Sequence, residues 1–86
     1  MEVLGQRIEY WFAEYNGAGR FLRDVLIPED KLQEAIRVGN IPDNPPLYDY
    51  ALDEAESAAI AALLQIVVTP RNVYVFETMR EREYHP

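Results

Sequence analysis

The sequence predicts an α+β domain, a small antiparallel sheet in the order β-β-α-(β)-α-β with two helices on one face. Three observations lead to it. Residues 6–15, QRIEYWFAEY, and 73–79, VYVFETM, are β-branched and aromatic segments of strand length. Asn16-Gly17-Ala18-Gly19 follows the first of them, and Asn and Gly tolerate the positive φ that reverses a chain, so the fold opens on a hairpin. Two helical segments, 28–38 and 54–66, come after that hairpin and so are segregated from it.

In the first strand Ile8, Tyr10 and Phe12 recur at period two, with Glu9, Trp11 and Tyr15 on the other face. The second strand runs from Arg20 to Ile27, and either Phe21, Val25 and Ile27 or Leu22 and Leu26 face the core. Pro28 presets a helix-compatible φ, and Glu29 and Asp30 complement the positive end of the helix dipole. Leu32, Ala35 and Ile36 form the apolar stripe of this helix, which ends near Val38 with Gly39 expected as a left-handed cap. The prolines of NIPDNPP stop any helix, and Leu47 to Ala51 is either a short edge strand or merely extended. Asp53 and Glu56 have the spacing of a capping box, from which the second helix follows. Its Ala55, Ala58, Ala59, Ile60, Ala61, Ala62, Leu63 and Leu64 leave little polar surface, so it is expected to be buried on more than one side. Thr69-Pro70-Arg71-Asn72 turns the chain into the last strand, expected to pair antiparallel with the first.

An 86-residue chain is expected to be a single domain, residues 1–86, with a stability margin of about 4 to 13 kcal/mol. Its 15 acids against 8 bases, a net charge of −7, argue against nucleic acid and against an anionic membrane surface, both of which reward clustered Lys and Arg. The partner such a field attracts is a basic protein. The absence of cysteine excludes disulfides, thiolate metal sites and cysteine nucleophiles. Together with a start that does not read as a signal peptide and no apolar run of membrane-spanning length, it leads to the expectation of a cytoplasmic protein.

Catalytic inventory is thin. Serine occurs once, at Ser57, and histidine once, at His85 near the end of the chain, so no Ser-His-Asp scheme can be assembled. Paired carboxylates remain available for acid–base work, but Asp53 and Glu56 already have a structural task, and no calcium-loop or phosphate-binding glycine pattern is present. The expectation is a protein that is not an enzyme and has no metal or cofactor.

Two features exceed what folding requires. Between Val38 and Pro70 there is no Lys or Arg, and the acids of that segment, Asp43, Asp49, Asp53, Glu54 and Glu56, gather around Tyr48 and Tyr50. Tyrosines among carboxylates supply rigid apolar contact plus charge, a composition suited to a basic surface; the alternative is a solvated loop whose tyrosines fold back on the core. Trp11 is the second feature: it lines either an open sheet face, as a contact residue, or the interior. The Ala-rich helix offers a homodimer contact as the alternative mode of association.

Ile27-Pro28 leading into Leu32, Ile36 and Gly39, then Asp43-Asn44-Pro45-Pro46-Leu47-Tyr48-Asp49-Tyr50 with Leu52, then Tyr74-Val75-Phe76-Glu77, span most of the chain. This pattern resembles a family of small, mostly uncharacterised acidic bacterial proteins, some encoded beside polymorphic toxins. The resemblance implies a non-enzymatic immunity or adaptor role and carries over no catalytic residue. Asp43, Tyr48, Asp49, Tyr50, Asp53, Glu54, Glu56 and Trp11 are the expected contact residues.

Overall fold

Strand and helix signals alternate along the chain as the sequence predicts. In the computed structural model, which describes residues 8–42 and 48–80, the elements are β1 (Ile8–Tyr15), β2 (Phe21–Leu26), α1 (Glu29–Val38), β3 (Tyr50–Ala51), α2 (Glu54–Leu64) and β4 (Val73–Arg80). The strands form one antiparallel sheet in the order β2-β1-β4-β3, so the two long aromatic strands lie at its centre. Asp43 and His85 lie outside the described residues.

β1 and β4 pair along their length, with Phe12 opposite Phe76, Glu14 opposite Tyr74 and Trp11 opposite Glu77. Residues opposite one another share a face. Tyr10, Phe12 and Glu14 therefore lie with Thr78, Phe76 and Tyr74 on one side, and Glu9, Trp11, Ala13 and Tyr15 with Glu77, Val75 and Val73 on the other. The first side is the core. Phe12 stacks on Tyr74 with ring centroids 5.1 Å apart, and Tyr10 and Tyr50 meet Phe76 at 5.7 and 6.3 Å. Ala35 and Ile36 of α1 and Ile60 and Ala61 of α2 belong to the same buried cluster.

The Asn16 side chain builds the hairpin turn: its Oδ1 accepts the backbone N–H of Ala18 and of Arg20, each at 2.9 Å. A register shift follows, because Glu14 is opposite Arg23 while Tyr15 is opposite Phe21. This bulge settles which residues of β2 face inward. Val25, opposite Phe12, and the buried Ile27 are on the core side, and Phe21 is carried to the other face, where it sits edge-on to Tyr15 and stays 51% exposed.

Both helices end in the same way. In α1 the N–H of Ile41 donates to the Ile36 carbonyl at 2.9 Å and that of Asn40 to Arg37 at 3.3 Å; in α2 Ile66 donates to Ala61 at 2.8 Å and Gln65 to Ala62 at 3.2 Å. This is the Schellman pattern, with Asn40 (φ 57°) and Gln65 (φ 60°) as its left-handed residues. The left-handed cap expected at Gly39 thus falls one residue later, and Gly39 itself is right-handed at φ −89°. Gly39 is needed for a different reason: a Cβ there would stand 2.8 Å from Cδ1 of Ile60, so the glycine lets the two helices approach.

α2 also departs from expectation. Ser57, Ile60 and Ala61 are buried, but Ala55, Ala58 and Ala62 are exposed. The domain has one layer of helices over one sheet face, and an alanine left in water forfeits little apolar burial. At the sheet edge, where the sequence left a short strand or merely extended chain open, Tyr50 and Ala51 form a strand and pair with Phe76 and Val75, while Leu47 lies outside the described residues.

Candidate functional site

The acidic segment does not form one patch, because it crosses the edge of the sheet. The Tyr48 N–H donates to Thr78 Oγ1 at 2.6 Å and the Thr78 hydroxyl donates to the Tyr48 carbonyl at 3.1 Å, which prolongs the β3 edge. Tyr48 is 66% exposed and lies edge-on to Tyr50 at 5.2 Å. Tyr50 in turn is half-buried against Phe76, so its ring supports the core. Asp53 and Glu56 form the expected capping box, with the Glu56 N–H donating to Asp53 Oδ1 at 2.7 Å and the Asp53 N–H to Glu56 Oε1 at 2.9 Å. Glu56 Oε2 also accepts Asn40 Nδ2 at 2.8 Å and ties the start of α2 to the end of α1. Glu54 is exposed beside them.

Asp49, one residue before Tyr50, takes the opposite side of the sheet by the alternation of extended chain, and it meets different company there. Among the described residues no helix packs on this face. Its positions include Glu9, Trp11, Ala13 and Tyr15 of β1, Asp24 and Leu26 of β2 with the displaced Phe21, Val73, Val75 and Glu77 of β4, and Ala51 of β3. Trp11, half-buried, belongs here, between Leu26 and Glu77. Phe21, Leu26 and Val73 are 51%, 43% and 46% exposed. None of these positions is Lys or Arg.

The Tyr15 hydroxyl donates to Glu77 Oε2 in a short hydrogen bond. The two side chains reach toward each other past Ala13, which is fully covered. The hydrogen bond, burial and the nearby charges of Glu77, Asp49 and Asp24 push the Tyr15 phenol up to about 12. Burial also raises the Glu77 carboxyl above its usual range; the Tyr15 hydroxyl pulls it down, and the charges of Asp49 and Asp24 add to the rise. Carboxylates from three separate parts of the sequence thus share one field around an aromatic surface.

On the core side the carboxylate of Glu14, 6% exposed, has the reverse environment. Arg23 Nε donates to its Oε1 at 2.7 Å, and Asn72 Nδ2 and the Tyr74 hydroxyl donate to Oε2 at 2.7 and 2.8 Å. Burial alone would raise the carboxyl, but these donors and the Arg23 charge outweigh it and hold Glu14 below the usual carboxylate range. Tyr74 Oη accepts the Thr69 N–H at 2.8 Å, so the network fixes the turn of residues 69–72, in which Arg71 has φ 74°. Between this turn and the start of α2 lies an open cleft of about 480 Å³, lined by Leu52, Ser57, Ala58, Val68, Pro70 and Tyr74 among others.

Asp24, Glu77, Phe21 and Leu26 were not among the residues expected to make contact. Alternation within the last strand did carry a signal, since Glu77 is out of phase with Tyr74 and Phe76; the position of Phe21 had none, because a bulge placed it. Among the described residues no group of three or more His, Cys, Asp or Glu is arranged to hold a metal ion, and no helix is long and apolar enough to cross a membrane. Fold and site together define a small α+β domain with one helix-covered sheet face and one, aromatic and acidic, on which no helix packs among the described residues. No protein-family model matches the chain, and no curated protein or solved structure is significantly similar to it.

Proposed function

We propose that the chain is a non-enzymatic protein-binding domain of the immunity type, an inhibitor that covers a basic surface of a toxin, a nuclease being one kind whose active site carries such charge. One observation carries the reading: the sheet face on which no described helix packs combines exposed Phe21, Leu26 and Val73 with Asp24, Asp49 and Glu77, and none of its described positions is Lys or Arg. Apolar area of this kind favours burial against a partner, and uncompensated carboxylates select a basic one and accelerate its approach. Tyr48 and Glu54 extend the same charge and aromatic character around the edge at β3. The resemblance to proteins encoded beside toxins points the same way.

Co-expression with the product of the adjacent open reading frame tests the reading. The two are expected to co-purify, with an affinity that falls as salt is raised, and Asp24→Lys with Asp49→Lys is expected to slow association about tenfold or more at low salt. Failure to co-purify, or indifference to both charge reversals, would sink it. The exposed line of Ala55, Ala58 and Ala62 favours a second reading, a homo-oligomeric accessory domain joined through α2. Light scattering separates the two: a monomer throughout the micromolar range removes the second.

A further inference from the structure

β2 (Phe21–Leu26) pairs with β1 on one side, and no described element pairs on its other side. The N–H of Ile27 donates to the Tyr10 carbonyl at 2.9 Å. Alternate residues of an antiparallel strand address the same neighbour, so Val25 and Arg23 also direct their backbone groups at β1. The N–H and C=O of Asp24 and Leu26 therefore point outward from the sheet. The same 6-residue strand carries three of the large apolar side chains that remain exposed, Phe21 at 51%, Leu22 at 47% and Leu26 at 43%. Proteins usually shield such an edge. Here the bulge lies at one end and Pro28 beyond the other, and among the described residues no strand pairs with the outward groups between them.

We infer that β2 receives an extended basic segment of the partner as a fifth strand. Its apolar side chains would pack on Leu26 and Phe21, while its lysines or arginines meet Asp24 on β2 itself. The inference rests on the proposed binding of a basic protein and adds how that protein is held. A second copy of this chain is the weaker occupant, since it brings another net charge of −7. Antiparallel self-pairing of β2 about its centre also sets Asp24 opposite Asp24 or Arg23 opposite Arg23, and like charges directly opposite are destabilising.

Amide hydrogen exchange on the full ¹⁵N-labelled chain, with and without an alternating lysine–valine decapeptide at low salt, tests the inference. The Asp24 and Leu26 amides are expected to slow about tenfold or more on peptide addition, while that of Val25, already bonded to β1, is unchanged. Asp24→Pro removes one outward N–H, and an edge strand tolerates proline at such a position. It is expected to bind about tenfold more weakly than Asp24→Asn, which loses the charge alone. If the peptide binds without slowing those amides, or binds both variants equally, strand addition is wrong and the basic-partner reading survives. If it does not bind at low salt, both fall.

Discussion

The two faces of this sheet are built from the same strands and are both rich in aromatic residues, yet they treat a carboxylate in opposite ways. On the helix side Glu14 has Arg23, Asn72 and Tyr74 as donors and is held in its charged form. On the other side Glu77 has the Tyr15 phenol, lies in the field of Asp24 and Asp49, and is pushed toward its neutral form. One face has its polar groups satisfied within the chain. The other keeps exposed apolar side chains beside carboxylates.

Substitutions that break this contrast most are on the covered face. Phe76 is fully buried at the meeting point of Tyr10 and Tyr50, and Phe76→Ala is expected to cost about 3–5 kcal/mol, enough to unfold much of a chain with so small a margin. Urea denaturation followed by circular dichroism reads this. Gly39→Ala drives a methyl against Ile60 and should cost about 1–3 kcal/mol in the same assay.

Protonation sharpens the comparison. Because the folded value of Glu14 is lowered, its stabilisation is complete above the ordinary 4.5 and disappears as pH falls through the folded value. Glu14→Gln should therefore lower stability at neutral pH by about 1–3 kcal/mol and flatten the acid limb of the profile. Glu77 runs the other way: its folded value is raised, so its contribution is present below 4.5 and is lost as pH rises through the folded value. Glu77→Gln should raise stability at neutrality relative to that at pH 4, and it should bring the Tyr15 phenol down from about 12, which absorbance titration of tyrosinate detects.

The smallest effect on folding is expected on the aromatic, acidic face. Phe21→Ser and Leu26→Ser should change stability by less than about 1 kcal/mol, since both side chains are already about half in water. Under the proposed function they should nevertheless weaken binding of a basic partner. A large loss of stability from either would show that the face is structural.

Elements whose cause is local were legible in the sequence. The period of β1, the capping box at Asp53 and Glu56 and the Asn-Gly turn each act within a few residues, and each is where the sequence places it. What was not legible arises between elements. Gly39 answers to Ile60 on the other helix, and Phe21 changes face through a bulge in pairing with β1. The same distinction governs the candidate site. Acids adjacent in the sequence read as one patch, but alternation sends Asp49 to the face opposite Tyr48 and Tyr50, and the capping box occupies Asp53 and Glu56. Asp24 and Glu77 join Asp49 from strands far apart in the sequence, and only sheet pairing brings them together.

The paired helix endings bear on how this domain can change over evolutionary time. Each places an isoleucine, Ile41 or Ile66, directly after a left-handed residue and returns it toward the core. Adding or deleting one residue within α1 or α2 would swing that isoleucine by about 100° around the helix axis, out of its place, whereas a change of a whole turn nearly restores it. Helix length is therefore quantised in this domain, and viable length variants are expected to differ by three or four residues.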